Sequence, residues 1–289
     1  MYDIIEENNS SFFMPTTTLK VGDAIELSKE LKNNSINVTV TSPPYNKAKV
    51  GSSKNALDKK YIPGVSTNGV FKKVEYDSFD DSLPEEDYQQ KQIKLLNIIH
   101  TKTVEGGSLF YNHKIRYNKG HSITPWEWLL KTNWHIREEI IWARGGAVEI
   151  SGFRFIQNDE RIYWLCKGPK HPKLPRACAN LGSVWKFGAD MKNDHPAPYP
   201  LLLPVRCIEA VLSTPGSVLD PYNGSGTTGV AAKLLGHNYI GFDLSENYLE
   251  KARDRITNIS PRDLKKFRES SVLGNSGSGE VTLEDFYRR

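Results

Sequence analysis

The segment from Ser217 to Asp243 constrains the chain more than any other. Ser217-Val218-Leu219 is a short apolar run that reads as a buried strand, and it breaks into the turn Asp220-Pro221-Tyr222-Asn223-Gly224-Ser225-Gly226-Thr227-Thr228-Gly229. Val230 to Leu235 reads as a helix ended by Gly236, and Asn238 to Phe242 as a second strand that closes on Asp243. A strand that breaks into a glycine-rich turn and then a helix presents backbone N–H groups and a positive helix end to a ligand. Asp243 follows Asp220 by 23 positions, close to the roughly 20-residue spacing at which a second-strand carboxylate meets a ribose hydroxyl. The unit predicts a nucleotide-type cradle in an α/β chain.

Upstream, Leu19 to Ala24 reads as a short strand into a turn, and Ala24, Leu27 and Leu31 mark one face of a helix. Ile36 to Thr41 is β-branched and reads as a strand. It must stop at Ser42-Pro43-Pro44-Tyr45, because two prolines cannot continue a central strand; they stiffen the backbone at its carboxyl end instead. A helix is expected from Asp80 to His100, with Ser82 as N-cap and Glu85 three residues on. Gly106 to Asn112 predicts a turn into a strand. Thr124-Pro125-Trp126 predicts a helix through Lys131, with proline at its first position. His135 to Ala143 and Arg161 to Cys166 read as paired strands, residues 167–194 as irregular, and Leu201 to Leu212 as a helix. Repetition of strand, turn and helix predicts a mostly parallel sheet, whose ligands bind outside the carboxyl ends of the strands at a switch point. If the strands ending at Thr41 and Asp220 are neighbours, one cleft holds both motifs.

The chain of 289 residues is long enough for one large α/β domain, expected over 1–260. After it, residues 261–289 form a tail in which Gly274 to Gly279 reads as a flexible linker. No apolar run approaches the ~18 residues of a membrane span. The first ten residues carry Asp3, Glu6 and Glu7, unlike a basic signal peptide. Cys166, Cys178 and Cys207 are too few and too scattered for a disulfide framework or a zinc site. A cytoplasmic protein without a metal or a membrane partner is the expectation. The net charge of +4 is modest, but its placement is informative. Residues 46–73 hold Lys47, Lys49, Lys54, Lys59, Lys60, Lys72 and Lys73 against the single acid Asp58. The stretch 46–80 therefore reads as a basic loop suited to phosphate contacts.

Thr41-Ser42-Pro43-Pro44-Tyr45 together with Asp220 to Thr228 resembles the amino-group DNA methyltransferases of bacteria and phage, over roughly residues 19–257. The proline motif precedes the glycine turn, which resembles the β group of that family. The resemblance implies a Rossmann-like class I methyltransferase fold: a mostly parallel twisted sheet, helices on both faces, motif order circularly permuted. It implies S-adenosylmethionine as cofactor and double-stranded DNA as partner. A cognate restriction endonuclease as functional companion is compatible with it, as are a monomer and a homodimer. The catalytic set is Ser42, Pro43, Pro44 and Tyr45. Cofactor contacts fall on Asp23, Thr41, His195, Pro200, Asp220, Tyr222, Asn223, Gly224, Gly226, Thr227 and Asp243. Gly22-Asp23 resembles the acidic turn near the cofactor adenine, and His195 to Pro200 the segment that closes its methionine side. Asn158 through Cys166 resembles the strand pair that braces the target-base pocket. The target-reading region corresponds to residues 167–194, so Lys173 and Arg176 join the lysines of 46–73 as DNA-binding candidates.

The residue types suit the chemistry. An exocyclic amine is a poor nucleophile while its lone pair is delocalised into the ring, and acceptors held against its hydrogens favour a nucleophilic geometry. The Ser42 hydroxyl and the Pro43 carbonyl are such acceptors. Tyr45 suits stacking on an extruded base, and Tyr222 suits a cation–π contact with the sulfonium. The resemblance implies that serine at the first motif position leans toward cytosine N4, with adenine N6 as the alternative. Methylation at cytosine C5 needs a nucleophilic cysteine, which the enzymes of that type place after a proline, whereas the cysteines here follow Leu165, Ala177 and Arg206. RNA or protein amines, or a catalytically silent DNA-binding scaffold, remain further readings. A nicotinamide or flavin oxidoreductase leaves Ser42 to Tyr45 unexplained, and a P-loop lacks its Lys-Ser/Thr.

Overall fold

A computed structural model describes residues 15–46, 83–118, 120–144, 155–170, 172–188 and 199–260. The elements run in chain order. β1 (Thr17–Val21), α1 (Ala24–Glu30), β2 (Ile36–Thr41), α2 (Glu85–Lys102) and β3 (Thr103–His113) come first. β4 (Arg116–Asn118), β5 (His121–Ile123), α3 (Trp126–Leu129), β6 (His135–Ala143) and β7 (Asp159–Cys166) follow. The last are α4 (Arg176–Ala179), β8 (Val184–Lys186), α5 (Leu202–Val211), β9 (Ser217–Asp220), α6 (Thr227–Leu235), β10 (Asn238–Asp243) and α7 (Glu246–Thr257).

One eight-stranded sheet has the order β1-β10-β9-β2-β3-β7-β6-β8, and β4 pairs with β5 as a separate hairpin. The neighbours from β1 to β3 are all parallel; β7 is antiparallel to both β3 and β6, and β8 is parallel to β6. The strand pairing alternates side chains between two cores, as a pleat requires. Phe110, Ile162, Trp164 and Val218 face the core under α5, α6 and α7. Leu109, Tyr111, Tyr163, Leu165 and Leu219 face the core under α1, α2 and α3. Ile36 joins the second core although Val38 and Val40 join the first, and the register shift between Ile36 and Val38 accounts for the change of face.

β9 continues through α6 to β10 on one side, whereas β2 continues through α2 to β3 on the other. β2 and β9 pair in parallel at Val38–Val218 and Thr39–Leu219. The chain therefore switches direction between these two strands, and their carboxyl ends open on one crevice.

Three expectations need correction. Residues 167–194 are not wholly irregular, since α4 and β8 lie within them. Pro125 caps α3 rather than opening it, and the helix ends at Leu129. The second helix begins at Glu85 on Pro84 and runs to Lys102; Ser82 lies outside the described residues. The tail 261–289 is likewise outside them. Among the described residues no helix is long and apolar enough to cross a membrane.

Candidate active site

The two motifs meet through one buried carboxylate. Asp220 ends β9 with no exposed surface. It accepts from the Thr41 hydroxyl at 2.8 Å, the Thr228 hydroxyl at 2.8 Å, the Tyr199 hydroxyl at 3.1 Å and the Tyr222 amide at 3.1 Å. The Tyr199 and Thr228 hydroxyls also touch each other. Burial pushes the Asp220 carboxyl up to about 6, against the four hydrogen bonds that favour its ionised form. The knot ties the residue before Ser42 to the first residue of the glycine turn, and Tyr199 draws the chain before α5 onto both.

Asn223 and Thr227 are also turned inward. Asn223 is 4% exposed. Its Oδ1 accepts from the Tyr239 hydroxyl at 2.7 Å, and its Nδ2 donates to the Gly224 carbonyl at 2.7 Å. Gly241 makes room for it: a Cβ there would stand 2.4 Å from Asn223 Oδ1. The Thr227 hydroxyl and both oxygens of Ser225 accept from Arg255 of α7. Gly226 takes a left-handed φ of 80° as the residue before α6 and offers no side-chain cap. A Cβ on it would meet the Ala252 Cβ at 2.6 Å, so its bareness serves packing against α7. The side chains of Asp220, Asn223, Thr227 and Thr41 all take part in holding the turn.

Asp243 closes β10. Its Oδ2 accepts from the Gly224 amide at 2.8 Å and its Oδ1 from the Ser245 amide at 2.9 Å. Gly22 donates to the Asp243 carbonyl at 2.9 Å, placing the Gly22-Asp23 turn beside it. Asp23 caps α1, accepting from Ile25 and Glu26. Tyr222 is half-buried against the core under α2, where Gln92 donates to its hydroxyl at 3.3 Å; burial pushes its phenol up to about 12. Pro200 is buried at the start of α5.

At the end of β2, the Pro44 carbonyl accepts from the Tyr88 hydroxyl at 2.9 Å. No donor among the described residues reaches the Pro43 carbonyl. The Tyr45 ring lies 4.6 Å from His113 at 41°. Sequence reasoning missed what surrounds this motif. Tyr45 donates to Glu160 Oε2 at 2.9 Å, and its hydroxyl lies 3.0 Å from Ser42 Oγ. Asn112 Nδ2 reaches Tyr45 at 2.9 Å, Glu160 Oε2 at 3.0 Å and Ser42 Oγ at 3.3 Å. Arg144 holds Glu160 Oε1 at 2.5 Å. The antiparallel β7 brings Glu160 to the carboxyl ends of β2 and β3.

The structure does not gather every candidate. Lys173 and Arg176 are exposed, but their segment leaves β7 at the amino ends of the parallel strands, where Gly106 donates to the Lys167 carbonyl. Only its later part, β8, reaches the carboxyl end, pairing Lys186 with Ala143. Lys47, Lys49, Lys54, Lys59, Lys60, Lys72, Lys73 and His195 lie outside the described residues.

A family model described as DNA methylase, for N6 and N4 methyltransferases, matches residues 36–254. The chain belongs to this family. It is 28% identical over 273 residues to the Type II methyltransferase M.ScaI of Streptomyces caespitosus, covering 81% of this chain and 79% of the relative. It is 28% identical over 278 residues to M.SmaI of Serratia marcescens, covering 82% and 89%. Among solved structures, the PvuII DNA methyltransferase (cytosine-N4-specific) superposes with a TM-score of 0.64 at 18% identity, covering 91% of this chain and 96% of that one. TTHA0409 of Thermus thermophilus, complexed with S-adenosyl-L-methionine, gives 0.60 at 21%, covering 85% and 95%. The fold is the Rossmann-like fold of methyltransferases. As a DNA methylase of this family the chain uses S-adenosylmethionine. The glycine turn fits that cofactor: α6 starts without a side-chain cap, and the Asp243 carboxylate accepts from the Gly224 amide of the same turn.

Proposed function

We propose that this methylase is site-specific and transfers the methyl group to N4 of a cytosine extruded from duplex DNA. The observation that carries the reading is the meeting of Ser42 with the glycine turn at the β2–β9 switch point, joined by the Thr41–Asp220 hydrogen bond of 2.8 Å. The bound cofactor supplies an electrophilic sulfonium methyl. Ser42 Oγ and the Pro43 carbonyl accept the amine hydrogens and release the nitrogen lone pair from conjugation for in-line attack. As the N–C bond forms the sulfonium S–CH3 bond breaks, S-adenosylhomocysteine is the leaving group, and one amine proton is lost to solvent. Tyr45 stacks on the base, backed by His113. Asp243 binds the ribose hydroxyls, the Gly22-Asp23 turn lies beside the adenine, and residues 46–80 contact phosphates.

The chemistry needs no enzyme nucleophile. All three cysteines are buried, and burial raises each thiol above its ordinary range. A neutral Ser42 oxygen is chemically adequate for either base; the preference for cytosine rests on the resemblance, in which serine at the first motif position leans toward N4. The test is nucleoside mass spectrometry of unmethylated plasmid DNA after incubation with the protein and S-adenosylmethionine. N4-methylcytosine is the expected product. N6-methyladenine would keep the mechanism and overturn the base, and no methylated base on varied DNA would overturn the reading.

A further inference from the structure

We propose that Glu160 is a positioning residue that fixes the direction of the hydrogen bonds running to Ser42, so that the serine meets the target amine as an acceptor. The proposal rests on the reading of Ser42 as the group that faces the amine.

The direction follows from counting hydrogens. A carboxylate only accepts, and a tyrosine hydroxyl has one hydrogen. Tyr45 gives that hydrogen to Glu160 Oε2 at 2.9 Å. In its 3.0 Å contact with Ser42, Tyr45 is then the acceptor, and Ser42 must donate. The serine hydrogen is thereby turned away from the substrate. Asn112 agrees with this polarity. Its two amide hydrogens are matched by its two shorter contacts, Tyr45 at 2.9 Å and Glu160 at 3.0 Å. Its contact with Ser42 is the longest, at 3.3 Å, so acceptor capacity on Ser42 Oγ remains for an amine hydrogen. Turning the Asn112 amide over would set its oxygen against the carboxylate oxygen. The amide keeps its nitrogen there even though its Oδ1 is left buried without a partner. Arg144 holds the other carboxylate oxygen at 2.5 Å, so Glu160, 5% exposed, is fixed at both ends.

With a serine free to rotate, the hydroxyl hydrogen can point at the amine, donor against donor. A Glu160→Gln side chain would give its oxygen to Arg144 and its amide hydrogens to Tyr45, which reverses the chain. Ser42 reads Glu160 only through hydrogen positions, and the effect should fall on the transfer step rather than on binding.

The experiment is a double-mutant cycle of Glu160→Gln and Tyr45→Phe in the full chain. Methyl transfer is measured in a single turnover with methyl-tritiated S-adenosylmethionine, and cofactor affinity by calorimetry. Each variant should slow transfer by about 10- to 100-fold with cofactor affinity within about threefold. Glu160→Gln should cost clearly less in the Tyr45→Phe background than alone, because the hydroxyl route is gone and only the longer Asn112 contact, at 3.3 Å, still links Glu160 to Ser42. Equal losses from Glu160→Gln in both backgrounds would overturn the proposal. So would an undiminished rate in Tyr45→Phe, a result that stands even if the Glu160 variant fails to fold. A 13Cζ-tyrosine label separates this from the functional reading. The Tyr45 resonance should shift in Glu160→Gln whether or not the wild type methylates DNA, and an unmoved resonance would also overturn the proposal.

Discussion

Asp220→Asn tests the buried knot directly. Asp220 is wholly buried, and its carboxyl is pushed from the ordinary 3.8 up to about 6. That difference corresponds to about 3 kcal/mol. The sign follows from linkage. Below about pH 4 the carboxyl is protonated in both folded and unfolded chains, and the penalty is absent. Between pH 4 and 6 the folded protein binds more protons than the unfolded chain, so stability falls as pH rises. Above pH 6 the full penalty is present, because the folded state holds an ion that the unfolded chain solvates freely. An amide in the same place keeps an acceptor oxygen for Thr41 or Thr228 and does not titrate. The hydroxyls of Thr41, Thr228 and Tyr199 can each rotate to accept from its nitrogen. Urea unfolding followed by tryptophan fluorescence from pH 4 to pH 8 gives the stability of each protein by linear extrapolation. Every other titrating group cancels in the difference between them. Relative to the wild type, the variant should gain about 2.5 kcal/mol between pH 4 and pH 7.5, whatever its offset at pH 4. A difference that stays flat with pH would refute the argument that Asp220 is ionised at a cost to the fold.

Other substitutions test separate parts of the site. Ser42→Ala should lose about 100-fold or more in transfer rate while calorimetry finds cofactor affinity little changed; full activity would remove Ser42 from the chemistry. Asp243→Ala should weaken cofactor binding by about 10-fold or more, and unchanged affinity would reject the ribose assignment. Gly229→Ala puts a Cβ 2.4 Å from Ile256 Cδ1 and 2.5 Å from Tyr239 Cε1. The better helix propensity of alanine is worth about 1 kcal/mol, against about 1–3 kcal/mol for overpacking. A lower melting temperature is the expected result, because the Tyr239 ring is held by its bond to Asn223.

Much of the fold was legible because the buried strands are short β-branched or apolar runs stopped by unmistakable breakers. Pro43-Pro44 after β2 and the glycine turn after β9 fix two carboxyl strand ends, whereas their adjacency comes from the observed pairing of β2 with β9. α4 and β8 were illegible for a physical reason. β8 is three residues long, and it exists because Ile141 to Ala143 offers a sheet edge about forty positions away in the chain. α7 carried a signal that could have found it: Ser245 caps Tyr248, and Tyr248, Leu249, Ala252 and Ile256 lie on one buried face. Within the site, residue type did not reveal direction. Asp220, Asn223 and Thr227 sit where a ligand-facing motif would place them, and their side chains also hold the turn. Asn112 of β3, Glu160 of β7 and Arg144, the residue after β6, are brought together by antiparallel pairing at the end of β2, and no local pattern announces that. A buried-strand glutamate beside the expected base-bracing segment was the available hint.

The Thr41–Asp220 bond makes the two halves of the site a single device. Thr41 is the last residue of β2, so its side chain sets where Ser42 begins. Its hydroxyl is held by the carboxylate from which the glycine turn starts. A shift of the turn is therefore passed to the serine through one hydrogen bond and one peptide unit. Thr41→Val keeps the shape and β-branching of the residue and removes only that bond. The net loss should be about 1–2 kcal/mol of stability, since Asp220 retains its other three donors. Cofactor affinity should change little, because the turn is still held by Thr228, Tyr199 and the Tyr222 amide. The transfer rate should fall more than either quantity suggests, because small misplacement of an acceptor is expensive at the reacting atom. Single-turnover rates and calorimetry on the same preparation separate the two. If rate and affinity fall together, the coupling between the motifs runs through the turn as a whole and not through this bond.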